Sequence, residues 1–172
     1  MDRQALVLKA LLFESFLGKT ISSELKDVRV LYDLKFKCDW LRRKETQVDV
    51  VAITSKAIYV IEAKDWSNYI EGDFDQYEWR GMGDSLKNMT VVSPIMQNLM
   101  HIRFIKAKAL MHDLELPPLI SIVCVPDECK IYSKCKEIIH ASDLVSIIQA
   151  CDNKLSKSYD RFKYEKFLRK CR

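Results

Sequence analysis

Three charged side chains are set into an apolar stretch, QVDVVAITSKAIYVIEAK, that runs from Gln47 to Lys64. Asp49 lies in its first half, Glu62 and Lys64 in its second. The stretch reads as two strands joined by a tight turn, and an unpaired charge in such a run is expensive to bury. Residues i and i+2 of a strand share a face, so Glu62 and Lys64 project together while Ile61 and Ala63 face the other way. With Thr54 to Ala57 as a four-residue turn, Ile53 pairs with Ile58, Val51 with Val60, and Asp49 falls opposite Glu62. Opposed side chains have Cβ atoms about 5 Å apart. Two carboxylates that close repel each other unless a cation lies between them, and a hard divalent ion such as Mg²⁺ or Mn²⁺ prefers carboxylate oxygen. A lysine beside that spot could orient or deprotonate a water. The same three residues would also serve as a salt bridge on a solvated sheet face.

The elements that must position these residues follow from the periodicity. Residues 3–17 predict a helix with Leu6, Val7, Ala10, Leu11, Phe13 and Leu17 as its apolar face and Lys9 and Ser15 on the other side. Glu14 falls among the apolar positions, where a carboxylate needs a metal, a water or a cation, or lies where the chain leaves the core. Val28–Phe36 predicts a strand and Asp39–Thr46 a charged loop. Three further short strands are expected at Tyr69–Glu71, Tyr77–Arg80 and Lys87–Val91, with a turn near Asn68. Ser93-Pro94 starts a helix, serine as cap and proline at the first helical position, running to about Leu114. Gln97 and His101 share a face near that helix's N-terminus, a favourable place for a phosphate. Leu119–Val125 is a continuous apolar run that predicts a fully buried strand, followed by a short strand at Lys136–His140 and a helix from Leu144 to about Cys151. The order gives an α/β fold, a mixed β-sheet with a central hairpin flanked by helices.

Composition narrows the classes. The 172 residues are 48% hydrophobic and 30% charged, which suits one soluble domain. No apolar run is long enough to cross a bilayer, and the N-terminal stretch is broken by Asp2, Lys9 and Glu14, so a signal peptide is not expected and a cytoplasmic setting is. Six cysteines, Cys38, Cys124, Cys129, Cys135, Cys151 and Cys171, form no C-x-x-C pair and predict free thiols rather than a zinc site. The net charge is +4, yet residues 154–172 hold eight Lys or Arg against two acids, so the rest of the chain is mildly acidic. This basic segment, expected to be helical and carrying Lys157 and Arg161, could touch nucleic-acid phosphates or be a solvated helix docked by its aromatics.

Gln47-Val48-Asp49, then Ile61-Glu62-Ala63-Lys64 with Trp66, then Pro94-Ile95-x-Gln97-Asn98, together resemble the nuclease-related domain (NERD) family of the PD-(D/E)xK nuclease superfamily. Glu14, 35 residues before Asp49, matches a glutamate on that family's first helix, and Gly72 and Trp79 fit its pattern after the E-x-K element. The resemblance runs from about Leu8 to Ile148. It departs at Val50, where the family often has histidine, at Phe13, and at Ala57 and Asn68, where glycine is usual. It implies a restriction-endonuclease-like core in a single domain, 1–172, and a metal-dependent endonuclease acting on DNA. By that resemblance Asp49, Glu62 and the Ala63 carbonyl would hold Mg²⁺ or Mn²⁺, and Lys64 would position the attacking water. Gln97 would hold the metal's water or the scissile phosphate, and Glu14 would be an outer or second-metal carboxylate. Apart from the resemblance, His101 near its helix N-terminus and Lys157 and Arg161 in the basic segment are the candidate contacts to nucleic acid. No membrane and no small-molecule cofactor are expected, and a homodimer is one assembly open to such a domain. The alternative is a catalytically silent nucleic-acid-binding or interaction module on the same fold.

Overall fold

The computed structural model describes residues 3–37, 45–82 and 88–171. The first helix, α1, spans Arg3–Glu24. Strands β1 (Arg29–Lys37), β2 (Glu45–Ile53) and β3 (Ile58–Ala63) follow, then β4 (Tyr69–Glu71), β5 (Glu78–Met82) and β6 (Asn88–Val92). Helix α2 (Pro94–Met111) leads to β7 (Leu119–Val125), β8 (Lys130–Tyr132) and β9 (Ile138–His140). One turn of 3₁₀ helix, α3 (Leu144–Asp152) and α4 (Arg161–Lys170) complete the chain. This is the α/β class with mixed sheets that the sequence predicts, consistent with the restriction-endonuclease-like core. The expected loop at Asp39–Thr46 lies, up to Lys44, outside the described residues, as do Cys38 and Lys87.

The main sheet has the order β1-β2-β3-β7-β9. β1, β2 and β3 form an antiparallel meander, while β3–β7 and β7–β9 are parallel. The hairpin register is the expected one, Ile53↔Ile58 and Val51↔Val60. Its turn is held by Thr54, whose N–H donates to Ala57 O and whose Oγ1 accepts the N–H groups of Lys56 and Ala57. A second sheet, β6-β5-β4-β8, packs through Trp66, Ile70 and Trp79 against Ile95, Val123 and Val125. Gly72 and Trp79 are in contact: a Cβ on Gly72 would collide with the Trp79 indole, so only glycine admits the ring there.

Both faces of the main sheet are covered. Val51, Ile53, Ile58 and Val60 pack on Ile102, Phe104 and Ile105 of α2 and on Phe167 and Leu168 of α4. Val50, Ala52, Tyr59 and Ile61 pack on Leu17 and Ile21 of α1 and on Leu144 and Ile148 of α3. The basic segment is helical only from Arg161, and its Tyr164 and Phe167 dock on the core. Helix α1 corrects the sequence reading twice. It runs seven residues past Leu17, and Val7 and Leu11, expected inward, are exposed along with Leu8, Leu12 and Phe16. Apolar residues surround this helix, so its period does not fix its phase; contact of Leu17 and Ile21 with the sheet does. Gly18 lies inside the helix, and the Tyr32 ring occupies the space where its Cβ would be.

Helix α2 starts as expected, with Ser93 Oγ accepting the Met96 N–H. Its placement depends on Asn98, which is fully buried and directs Nδ2 at Val60 O (2.7 Å), Ser121 Oγ (2.9 Å) and Ile122 O (3.0 Å), bridging β3 and β7. Asn98→Ala removes these bonds and leaves a void, and we expect it to lower unfolding stability by about 2 kcal/mol with an unchanged urea m-value. A loss within 0.5 kcal/mol of zero would mean that apolar packing alone seats the helix.

Candidate functional site

The site lies at the carboxyl end of β3, and Glu62 is its centre. Glu62 is 1% exposed. Its Oε1 accepts from Lys64 Nζ at 2.6 Å and its Oε2 is 3.1 Å from His101 Nε2. Lys64 Nζ also donates to Gln97 Oε1 at 3.2 Å, so helix α2 reaches the strand through two side chains one turn apart. The shared face of Glu62 and Lys64 is what the period of two predicts.

Asp49 reaches the same place by a less regular route. Its Oδ2 accepts the Ala63 N–H at 2.8 Å, across the end of the β2–β3 ladder whose last pair is Val50↔Ile61. On its other side the β1–β2 ladder passes from Tyr32↔Val50 to Leu34↔Val48 and leaves out Asp33 and Asp49. Asp33 has φ +47°, rare for any residue but glycine and best tolerated by Asp and Asn. The facing of both strands slips there. Leu31 and Leu34 lie on one side of the sheet, as do Val48 and Val51, whereas strict alternation would separate the members of each pair. This kink turns Asp49 toward Ala63. Irregularities of this kind gather beside active sites.

The electrostatics follow from burial. Burial, and then the Glu62 charge, push the Asp49 carboxyl up to about 8, while the Ala63 N–H pulls the other way. Glu62 is also penalised by burial, but the His101 hydrogen bond and the Lys64 charge prevail and hold it below the usual carboxylate range. The two therefore divide the roles: without a cation Glu62 is ionised and Asp49 keeps its proton. Glu14 approaches from α1. Burial raises its pKa, as do the charges of Asp33 and Glu62, and Lys64 counters them. Glu14 is half-buried and close enough to feel the charges of Asp33, Glu62 and Lys64, while Asp33 itself pairs with Lys35 at 3.5 Å.

Among the described residues no three His, Cys, Asp or Glu side chains converge closely enough to hold an ion by themselves. Asp49 and Glu62 are nevertheless of the donor type that Mg²⁺ or Mn²⁺ takes. Burial and the Glu62 charge keep the Asp49 carboxyl protonated at neutral pH unless positive charge is added, and Mg²⁺ is commonly bound through one or two carboxylates and completed by water. Of the three residues expected to approach nucleic acid, one is enclosed and two reach the surface. His101 is buried between Glu62 and Thr46 rather than offered to a phosphate. Lys157 pairs with Glu115 on the surface, and Arg161 pairs with Asp27. Asp33 and Thr46 were not singled out by sequence. The signal for Asp33 was a lone charge inside the apolar run Leu31–Leu34; for Thr46 there was none.

A family model described as nuclease-related domain, NERD, matches residues 9–126. The match contains Glu14, Asp33, Thr46, Asp49, Glu62, Lys64, Gln97 and His101 and ends just past β7. No curated protein and no solved structure matches the chain.

The Asp49 carboxyl generates a prediction for the metal-free protein. Its pKa rises on folding, from an ordinary 3.8 to about 8, so ionisation opposes folding. The penalty is absent below about pH 4, grows as the pH rises, and is complete above about pH 8. Asp49→Asn keeps an acceptor for Ala63 N–H and removes the charge. Urea unfolding in EDTA should therefore find the variant little changed at pH 4.5 and more stable than wild type by about 1–3 kcal/mol at pH 8.5. Equal destabilisation at both pH values would contradict this account.

Proposed function

The chain belongs to the nuclease-related domain family, and on that premise we propose that it hydrolyses phosphodiester bonds in DNA at a Mg²⁺ or Mn²⁺ site. Asp49 and Glu62 would hold the ion, with the Ala63 carbonyl as a third ligand. The ion would supply a bound water of lowered pKa and offset negative charge at the phosphate. One observation carries the reading: the Lys64 ammonium is suspended between Glu62 Oε1 and Gln97 Oε1, beside a second carboxyl that burial keeps from ionising alone.

Lys64 is the group placed to orient the attacking water and to hold charge on the phosphate. Its side chain is 18% exposed, so it is sheltered yet reachable. Gln97 aims the lysine and lies one turn into α2, near the positive end of the helix dipole. Glu14, with its raised pKa, is suited to taking up a proton or to joining the ion's outer sphere.

A second reading has its own support. Both oxygens of Glu62 are already engaged by Lys64 and His101, an arrangement that is complete without an ion. It would make the chain a silent nucleic-acid-binding or interaction module.

Incubation with supercoiled, linear and single-stranded DNA in Mg²⁺ or Mn²⁺ separates the two. The first reading expects cleavage abolished by EDTA, lowered about 100-fold or more in Lys64→Ala, and lowered about tenfold in Gln97→Ala. Salt-sensitive DNA binding without cleavage, unchanged in Asp49→Ala, would establish the second instead.

A further inference from the structure

Glu62 takes a hydrogen bond that the hydrolytic reading does not use. His101, on α2, is 3% exposed and presents Nε2 to Glu62 Oε2 at 3.1 Å. The other nitrogen of the same ring, Nδ1, lies 2.8 Å from Thr46 Oγ1 at the start of β2. The three groups come from β2, α2 and β3, and their line ends at Lys64.

We propose that Thr46 and His101 are positioning residues for Glu62: together they lock Oε2 and leave Oε1 as the oxygen facing Lys64 and the ion. The catalytic weight of this lock rests on the nuclease reading above; its geometry does not.

An ionised carboxylate accepts hydrogen bonds and donates none, so His101 must carry its hydrogen on Nε2. Nδ1 then either accepts the Thr46 hydroxyl proton or, in the charged ring, donates to the Thr46 oxygen. A hydroxyl serves both cases, and a methyl group serves neither. Thr46 thus fixes the orientation of the ring whichever form it takes, and the ring fixes the carboxylate. Held at one oxygen only, Glu62 would be free to rotate about its terminal torsion, and Oε1 would lose its fixed distance from Lys64 Nζ. Partners behind a ligand that set its orientation recur in metal sites, and their loss commonly costs about 10–100-fold in metal affinity.

The test compares wild type with Thr46→Val, Thr46→Ser and His101→Gln, each checked for folding by urea unfolding. In EDTA, the rate at which an amine-reactive ester labels Lys64, read by mass spectrometry of its peptide, reports how firmly Glu62 Oε1 holds the ammonium. Labelling should speed up several-fold in Thr46→Val and His101→Gln and stay at the wild-type rate in Thr46→Ser. Calorimetry should then show Mn²⁺ binding weakened about 10–100-fold in the first two variants and retained in the third. Equal labelling of Lys64 in all four proteins would overturn the proposal, even if the variants were less stable, because the pair would then serve folding alone. Faster labelling in Thr46→Val, together with a wild type that binds no Mn²⁺, would uphold the lock and defeat the nuclease reading. If His101→Gln does not fold, Thr46→Val carries the comparison, since it preserves the volume of the side chain and the histidine.

Discussion

Glu62 is almost fully removed from water, and both of its oxygens are committed, one to Lys64 and one to His101. A carboxylate cannot stay ionised at that depth on packing alone, and breaking such a pair by removing one partner typically costs about 3–5 kcal/mol. Each partner then imposes a condition on the fold. Lys64 must follow two residues later on the same strand face. His101 requires α2 to cross the end of β3 at the right height, which Asn98 secures by bonding to β3 and β7 one turn before. Gln97 and His101 owe their positions to the same anchor.

The first condition could be read from sequence, because a period of two needs only counting. The register of the hairpin was equally legible: Thr54 to Ala57 makes the turn that the spacing required, and Val51 meets Val60. The start of α2 was announced by Ser93-Pro94. What could not be counted was anything set by contacts between distant segments. Thr46 and His101 are 55 residues apart and belong to no motif, so nothing in the order of residues joins them. The phase of α1 was hidden because apolar residues surround it. Strand β8 is only three residues long and alternates too briefly to register, although its parallel pairing with β4 closes the second sheet.

Asp49 shows where counting half succeeds. Simple alternation sets it opposite Glu62, and the two are electrostatically coupled. Its carboxylate nevertheless turns to the Ala63 N–H, because β1 and β2 lose their alternation together at Asp33 and Asp49. A residue at φ +47° inside a strand carries a conformational cost of order 1–3 kcal/mol, sustained only where the surroundings enforce it. What accompanies the kink is the bond from the Ala63 N–H to Asp49 Oδ2, where strict alternation would set the carboxylate directly against that of Glu62. The physical exception in the strand pattern coincides with the chemical one, an aspartate at each of the two positions.

The location of the site follows from topology as well as from side chains. β3 is the strand at which the sheet changes character, antiparallel to β2 on one side and parallel to β7 on the other. A parallel neighbour requires a crossover, and α2 is the long helix within it, so its first turns must return over the end of β3. A meander delivers Asp49 to one flank of that end, a crossover delivers Gln97 and His101 to the other, and the strand itself supplies Glu62 and Lys64. Clefts form at such switch points in α/β sheets because neighbouring connections leave in different directions. The family match ends just after β7, the last strand this junction needs, and β9, α3 and α4 lie beyond it. Those later elements pack on the sheet, and among the described residues the partners bonded to Glu62, Lys64 and Asp49 come from β3 and α2.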